Sequence, residues 1–197
     1  IKRIRISSIE PNLLTDEIIE FCASSKKFMP HFHIPLQSGS DKILNAMRRR
    51  YDTKAYKDRI KKINDINPEI SIGVDVIVGF PGESNENFLE TYNFLNELDI
   101  TYLHVFSYSE RNGTEAVKIS EKVQKDDRSK RSKLLHILSE KKKRAFYNKF
   151  INTKRQVLFE SYKGEYLVGH TDNYIKVQVE NLNNYNNQLV GINLTKN

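Results

Sequence analysis

The side chains best placed for binding chemistry lie in one short polar turn, Gln37-Ser38-Gly39-Ser40, which follows the apolar residues of a predicted strand. An amide, two hydroxyls and the free N–H groups of a helix that begins at Asp41 meet there, and such groups suit a polar or anionic ligand. This helix ends in Arg48-Arg49-Arg50. We expect Arg48 or Arg50 either to pair with a ligand carboxylate or to complement the helix C-terminus.

Two other predicted strands also end in residues that suit a ligand. The stretch 75–83 is a buried strand that ends in a turn bounded by Gly79 and Gly82, where a flat ligand can approach the backbone, and Glu83 either caps the next helix or binds a ribose. An ordinary strand-to-helix turn is the alternative. The strand 102–108 is followed by a loop that carries Arg111. The strand and its loop either face a ligand or are exposed to solvent.

Metal and disulfide chemistry find little support in the residue spacing. His31 and His33 point to the same face of a strand, but two ligands without a nearby third are weak evidence, so structural histidines and no metal site are predicted. Cys22 is the one cysteine, which excludes a disulfide framework and favours a cytosolic setting. The sequence contains neither a phosphate-binding loop nor a Ser-His-Asp set.

These residues are predicted to be positioned by strands and helices that alternate along the chain. Strands are predicted over 2–8, 31–36, 70–79 and 102–107, with helices between them, including one that Thr53 caps and one that Ser84 caps. This order predicts a parallel α/β sheet whose strands all end on one face. Because four units are too few for a closed barrel and the chain opens in a strand without methionine, we expect a fragment of a longer protein.

The charge is concentrated in the second half of the chain. The net charge is +7, and residues 118–155 carry 14 Lys and Arg against 4 Asp and Glu. Such a block indicates a polyanionic partner, with a solvated helix face as the alternative. A basic amphipathic helix is predicted over 129–150, followed by strands over 156–162, 165–170, 174–180 and 188–194 that suggest a small antiparallel barrel of OB type; the last two are separated by the Asn-rich 181–187.

Three stretches together resemble the radical S-adenosylmethionine (SAM) methylthiotransferases: the Gln37-Ser38-Gly39-Ser40 turn, 75–83 and 102–114. The resemblance covers essentially the whole chain. It implies the C-terminal part of a (β/α)6 partial barrel over 1–128, a linking helix over 129–150 and an RNA-binding TRAM module over 151–197 that lacks its last strand. The 102–114 and 166–174 stretches look most like the subgroup that acts on N6-threonylcarbamoyladenosine at tRNA position 37.

The resemblance also implies functions for individual residues. It assigns SAM contacts to ten positions: Gln37, Ser38, Ser40, Asp75, Ile77, Gly79, Glu83, His104, Phe106 and Tyr108. It assigns substrate or tRNA contacts to eight others: Arg48, Arg50, Arg111, Lys141, Lys142, Arg144, Tyr166 and Tyr174. Tyr162 is a further candidate for stacking on a base.

For the whole enzyme, the resemblance implies a 5′-deoxyadenosyl radical made from SAM, sulfur insertion at C2 of adenosine-37, and two [4Fe–4S] clusters. Six cysteines ligate those clusters, so the ligands are expected outside this chain and the fragment alone is expected to be inactive. The alternatives are an isopentenyladenosine-37 methylthiotransferase and a non-catalytic RNA-binding fragment. A cytoplasmic, monomeric protein with tRNA and SAM as partners and no membrane association is expected.

Overall fold

The computed structural model describes residues 1–180 and 185–196. Its helices are α1 (Asp16–Ser24), α2 (Asp41–Ala46), α3 (Thr53–Ile66), α4 (Asn85–Glu97), α5 (Lys125–Asn148) and a short 3₁₀ helix (Glu115–Lys118). Its strands are β1 (His31–His33), β2 (Ser71–Val78), β3 (Tyr102–Ser107), β4 (Lys154–Lys163), β5 (Tyr166–Thr171), β6 (Lys176–Glu180) and β7 (Leu189–Asn193). The fold is therefore mixed α/β with two sheets.

The first sheet is parallel, with the strand order β1-β2-β3. Alternate residues of β2 point into the layer of helices, where Ile72, Val74, Val76 and Val78 are at most 1% exposed. The opposite face of the sheet is open and carries both polar residues, such as Asp75 and His104, and the apolar Ile77 and Phe106. The predicted parallel α/β arrangement is confirmed, and all three strands end at the same edge. In the described part of the chain, no helix combines the length and hydrophobicity that crossing a membrane requires.

Several predicted element boundaries were wrong. Residues 2–8 form a single parallel bridge, between Ile4 and Phe28, because Ile4 makes the hydrogen bonds to the neighbouring segment, with Lys27 and Met29. The strand predicted over 31–36 ends at His33 as β1, and the helix predicted to reach Arg49 ends at Ala46. Asp52, not Thr53, caps α3 by accepting a hydrogen bond from the Ala55 N–H. Ser84 caps α4 as predicted, within a capping box.

The second sheet is antiparallel, with the strand order β6-β5-β4-β7. A register shift between Phe159 and Ser161 bends β4, so that the sheet curls around its own small core. Val157, Phe159 and Leu167 are fully buried in that core. The predicted period-two segments are therefore confirmed as strands, whereas residues 181–184 of the predicted Asn-rich separator lie outside the described residues.

Helix α5 packs against both sheets. Near its middle, Leu135 and Leu138 join the core beneath the parallel sheet, and near its end Phe146 packs in a second cluster with Ile175. The Ser139 hydroxyl accepts a hydrogen bond from the Leu103 N–H at 2.8 Å and donates one to the Leu103 carbonyl at 3.2 Å. Helix α5 therefore covers the outer edge of β3.

The curled sheet contacts the open face of the parallel sheet near the starts of its strands. Tyr174 stacks on His31 with ring centroids 4.2 Å apart and lies beneath the Arg5 guanidinium, at 5.0 Å. Arg5 also donates hydrogen bonds to the carbonyls of Thr171 and Asp172. This contact closes the end of the open face that lies farthest from the strand ends.

Candidate functional site

Gln37 marks the point where the first strand leaves the parallel sheet. The N–H groups of Leu36 and Gln37 both donate to the Asp75 carbonyl, at 3.1 and 2.9 Å, and the Ile77 N–H donates to the Gln37 carbonyl. Gln37 has a φ of 73°, in the left-handed region that residues other than glycine rarely adopt. The backbone bulges at this position, so the half-buried Gln37 side chain lies at the C-terminal edge of the sheet.

The hydroxyls of the turn that follows are held by helix α4. Ser38 and Ser40 are at most 1% exposed, and the Ser38 hydroxyl shares a hydrogen bond of 3.2 Å with the Thr91 hydroxyl. The Asn87 amide donates to the Ser40 hydroxyl, and the Gly39 N–H donates to Thr91. A Cβ atom on Gly39 would lie 2.8 Å from the Thr91 Cα, so only glycine permits this contact. Both hydroxyls thus have hydrogen-bond partners within the protein and stabilise the conformation of the turn.

Four residues predicted to bind SAM lie on the open face of the parallel sheet. Asp75 pairs in register with His104, and Ile77 pairs with Phe106. Because side chains alternate along a strand, all four project to the same side. Phe106 is 51% exposed and Ile77 is half-buried, so they form an apolar platform beside Gln37. Such a platform matches one face of a flat heterocycle.

The turn after β2 is anchored to α5 by a buried ion pair. The Gly79 N–H and the Arg131 guanidinium both donate to the Glu83 Oε2 atom, and Arg131 donates further to the Glu83 carbonyl and the Asn85 side chain. Burial raises the pKa of Glu83, and the Gly79 N–H and Arg131 oppose that rise. Glu83 Oε1 is buried without a hydrogen-bond partner among the described residues. Glu83 therefore stabilises the turn, while Ser84 caps the helix.

Tyr108 follows β3 at the same edge. Its ring packs edge-on against Phe80, with centroids 5.4 Å apart, and its carbonyl accepts a hydrogen bond from Arg128 at 2.8 Å. Within the described residues, its hydroxyl is buried and lacks a hydrogen-bond partner. This orphaned polar atom at the strand ends is consistent with a polar ligand that would bind there.

The predicted arginines lie around this edge of the sheet. Arg48 has a φ of 57°, two residues after the end of α2, and both Arg48 and Arg50 are exposed. Arg49, which the sequence did not single out, pairs with Glu10 at 3.3 Å. Arg111 is exposed in the loop after β3. None of these arginines is buried, so their side chains can reorient toward a ligand.

A cluster that the sequence did not reveal lies lower on the open face. His33 Nε2 is 2.7 Å from Asp75 Oδ1, and the His104 ring stands edge-on to His33 at 5.4 Å. The hydrogen bond to Asp75 raises the pKa of His33. His31 differs, because its Nε2 bonds to the Tyr102 hydroxyl and burial lowers its pKa to about 3. Only knowledge of the strand register would have brought His33, Asp75 and His104 together.

An iron–sulfur cluster does not fit the residues of this chain. Cluster ligands are cysteine thiolates, and the chain has one cysteine, Cys22. It is 7% exposed on α1, and burial raises the pKa of its thiol, which disfavours the thiolate. No chemical step can therefore be assigned to a cluster held by this chain.

The predicted tRNA-binding residues fall into different environments. Lys142 donates to the carbonyls of Asn96 and Leu98 at the end of α4, and burial lowers its pKa. Lys141 and Arg144 are exposed, and Tyr162 and Tyr166 are 48% and 43% exposed. Tyr174 instead packs against His31. Lys141, Arg144 and Tyr166 are therefore exposed to a partner, whereas Lys142 and Tyr174 make contacts within the chain.

A groove of about 520 Å³ runs between α5 and strands β6 and β7. Its basic side chains are Lys143, Arg144, Lys176 and Lys196, and Tyr147 lies on its wall. Glu140 is its acidic member among the described residues and pairs with Lys143. The groove thus presents an excess of positive charge beside an aromatic ring, which suits a nucleic acid backbone.

Comparison with known proteins places these features in context. Residues 1–95 match the family model of the Radical SAM superfamily. The chain is 38% identical to the threonylcarbamoyladenosine tRNA methylthiotransferase MtaB of Bacillus subtilis, over 100% of this chain and 45% of that protein. It is 34% identical to the tRNA-2-methylthio-N(6)-dimethylallyladenosine synthase of Endomicrobium trichonymphae, over 98% of this chain and 46% of that protein.

The fold is also found among solved structures. Coproporphyrinogen III oxidase (HemN) from Escherichia coli, described as a radical SAM enzyme, matches with a TM-score of 0.54 at 16% identity, over 75% of this chain and 32% of that one. At this identity the likeness concerns the fold alone. The chain spans about 45% of the length of the curated relatives that it matches.

Proposed function

We propose, from the premise that this chain belongs to the radical SAM methylthiotransferase family, that it is a segment of an enzyme that methylthiolates N6-threonylcarbamoyladenosine at tRNA position 37. In this proposal the parallel sheet provides one wall of the SAM site. The curled sheet acts as a TRAM module of OB type that binds tRNA. The observation that carries the proposal is the open platform of Ile77 and Phe106 beside Gln37, at the C-terminal edge of the parallel strands.

The residues of this chain would bind and orient the cofactor. Ile77 and Phe106 would pack against the adenine, and the Gln37 amide would hydrogen-bond the polar groups of SAM. The orphaned Tyr108 hydroxyl and exposed Arg48 or Arg50 would provide further polar contacts, the arginines to a carboxylate. SAM with a reduced cluster supplies the radical chemistry, and we propose that the cluster ligands lie outside these 197 residues.

The substrate assignment rests on the relatives. The relative named for threonylcarbamoyladenosine is 38% identical, whereas the one named for the dimethylallyl substrate is 34% identical over nearly the same extent. Because this difference is small, the dimethylallyl-adenosine enzyme is the second candidate. A non-catalytic RNA-binding function is the third outcome that an experiment must separate.

Deletion of the gene separates these three outcomes. We expect tRNA nucleosides from the deletion strain to lose the methylthio group from threonylcarbamoyladenosine alone, as measured by mass spectrometry, and to regain it on complementation. Loss from the dimethylallyl nucleoside would instead support the second candidate. Persistence of both methylthio groups would contradict a methylthiotransferase function and leave the RNA-binding one.

The basic groove is the proposed tRNA contact of this segment. Replacing both Arg144 and Lys176 with glutamate should weaken binding of bulk tRNA to the purified chain, because two positive charges of the groove are reversed. The slope of log affinity against log salt should fall by about one for each lost phosphate contact. Filter binding at several salt concentrations measures both effects. Lys42→Glu combined with Lys54→Glu, at exposed positions on α2 and α3 outside the groove, reverses the same number of charges and is the matched control, which should change both quantities less.

A further inference from the structure

Three potential metal ligands converge on the open face of the parallel sheet, one from each strand. His33 lies on β1, Asp75 on β2 and His104 on β3. One ligand atom from each of the three lies within 4.8 Å of the other two. Two imidazoles and a carboxylate are the ligand types that zinc takes when it keeps a fourth position open.

The environment of His33 orients it as a ligand. His33 Nδ1 lies 2.9 Å from the Ser7 carbonyl, which can only accept, so Nδ1 carries a proton. Nε2 donates to Asp75 Oδ1 at 2.7 Å, so both ring nitrogens carry a proton in the metal-free structure. A metal ion that binds here would displace the Nε2 proton and leave the Nδ1–H bonded to Ser7. A ligating histidine commonly donates its other N–H to a backbone carbonyl in this way, which fixes both the tautomer and the ring orientation.

Access to the cluster is open from one side. The side chains of His33 and Asp75 are each 18% exposed, and His104 is exposed. An ion can therefore arrive from the open face without local unfolding, and a water or substrate atom has room to complete the coordination. Around zinc at about 2.0–2.1 Å, tetrahedral ligand atoms are roughly 3.4 Å apart. The exposed His104 side chain must rotate inward to reach that spacing.

A simpler interpretation is an ion pair between His33 and Asp75 with His104 as a bystander. His31, two residues before His33, has the contacts of a structural histidine: it is 6% exposed, forms a hydrogen bond with Tyr102 and stacks on Tyr174. His104 is neither buried nor needed by the His33–Asp75 pair. Its placement beside that pair, at the position in register with Asp75, is what a third ligand requires.

We propose that His33, Asp75 and His104 bind one divalent transition metal ion of the zinc type, with an open coordination position facing away from the sheet. Asp75 and His104 are also among the residues to which the resemblance assigns SAM contacts, but binding of the ion is measured with neither SAM nor tRNA present. The test of this site and the tests of the proposed function can therefore fail independently.

Titration of the purified chain with Co²⁺, followed by displacement with Zn²⁺, tests the site. Co²⁺ in a four-coordinate site of nitrogen and oxygen ligands has strong visible absorption, so we expect a saturable signal at one ion per chain. His104→Ala removes an exposed ligand and should weaken binding at least about tenfold, as even outer-shell changes do. His136→Ala, at an exposed position on α5, is the matched control and should bind as the unmodified chain does.

A second variant distinguishes the loss of a metal ligand from a folding defect. Asp75→Asn keeps the shape of the side chain and removes its charge, and circular dichroism reports whether the variant is folded. A folded Asp75→Asn chain that binds Co²⁺ weakly supports the site. The proposal is overturned if the unmodified chain lacks saturable binding, or if His104→Ala binds with unchanged affinity and spectrum.

Discussion

Replacing Arg131 with methionine is expected to lower the free energy of unfolding by about 3–5 kcal/mol. The Arg131 and Glu83 side chains are 7% and 0% exposed, so removal of the guanidinium leaves a buried carboxylate without its counter-charge. Arg131 also donates to the Glu83 carbonyl and to Asn85, and those acceptors lose their donor as well. Urea unfolding at neutral pH measures the loss.

Two further variants identify the buried charge as the cause. Lys130→Met removes the neighbouring exposed cation, which pairs with Asp127 at 3.6 Å on the helix surface, and should cost less than about 1 kcal/mol. Glu83→Gln in the Arg131→Met background removes the unpaired charge and should recover part of the stability. If the double variant is no more stable than Arg131→Met, the buried-charge explanation is wrong.

The loss of stability caused by Arg131→Met should depend on pH in a definite direction. The folded-state pKa of Glu83 lies above its ordinary value of 4.5, chiefly through burial, while Gly79 and Arg131 hold it down. When the pKa of an acid is higher in the folded than in the unfolded state, the acid stabilises the fold at pH values below its unfolded-state pKa. That stabilisation is lost as the pH rises through the folded-state pKa. Removing Arg131 raises the folded pKa further. The deficit should therefore shrink as the pH is lowered toward 4.5, and a deficit independent of pH would contradict this account.

Replacing Tyr174 with alanine should destabilise the contact between the two sheets by about 2–4 kcal/mol. The ring stacks on His31 at 4.2 Å and on His170 at 4.7 Å, and the Arg5 guanidinium lies over it at 5.0 Å. Alanine removes all three contacts at once. We expect thermal unfolding followed by calorimetry to broaden or to split into two transitions, because the curled sheet loses an anchor to the parallel one.

The backbone at Tyr174 provides an internal control. Its φ of 68° is unfavourable for any residue with a Cβ atom. Tyr174→Gly removes the same ring contacts and relieves that strain, so it should be more stable than Tyr174→Ala by roughly 1 kcal/mol. Tyr166→Ala, at a residue 43% exposed on β5, should leave a single transition. A Tyr174→Ala chain that unfolds as the unmodified one does would contradict an anchoring role.

Features that are local in sequence could be predicted. The apolar run over 70–79 indicates a buried strand by itself, and Ser84 caps α4 through atoms three residues away. The strand expected over 2–8 fails for the opposite reason. Its alternation is real, but a strand needs a neighbour to pair with, and pairing is limited to the bridge between Ile4 and Phe28.

The contacts that define the candidate site are distant in sequence and could not be predicted. Arg131 and Glu83 are 48 positions apart, and His33 and Asp75 are 42 apart. Each pair depends on strand register or helix placement, which periodicity does not encode. Similarly, nothing in the sequence distinguishes Lys142, which caps the end of α4, from Lys141, which faces solvent.

The two hydrogen bonds between Ser139 and Leu103 also affect how this protein behaves among copies of itself. An outer strand with free N–H and carbonyl groups is a template on which another chain can add a strand. At β3 a single hydroxyl satisfies both groups of one residue, and α5 lies along the remainder of that edge. On the β3 side the parallel sheet therefore ends in a helix rather than in an unpaired strand, which disfavours the addition of a strand from another copy at that edge.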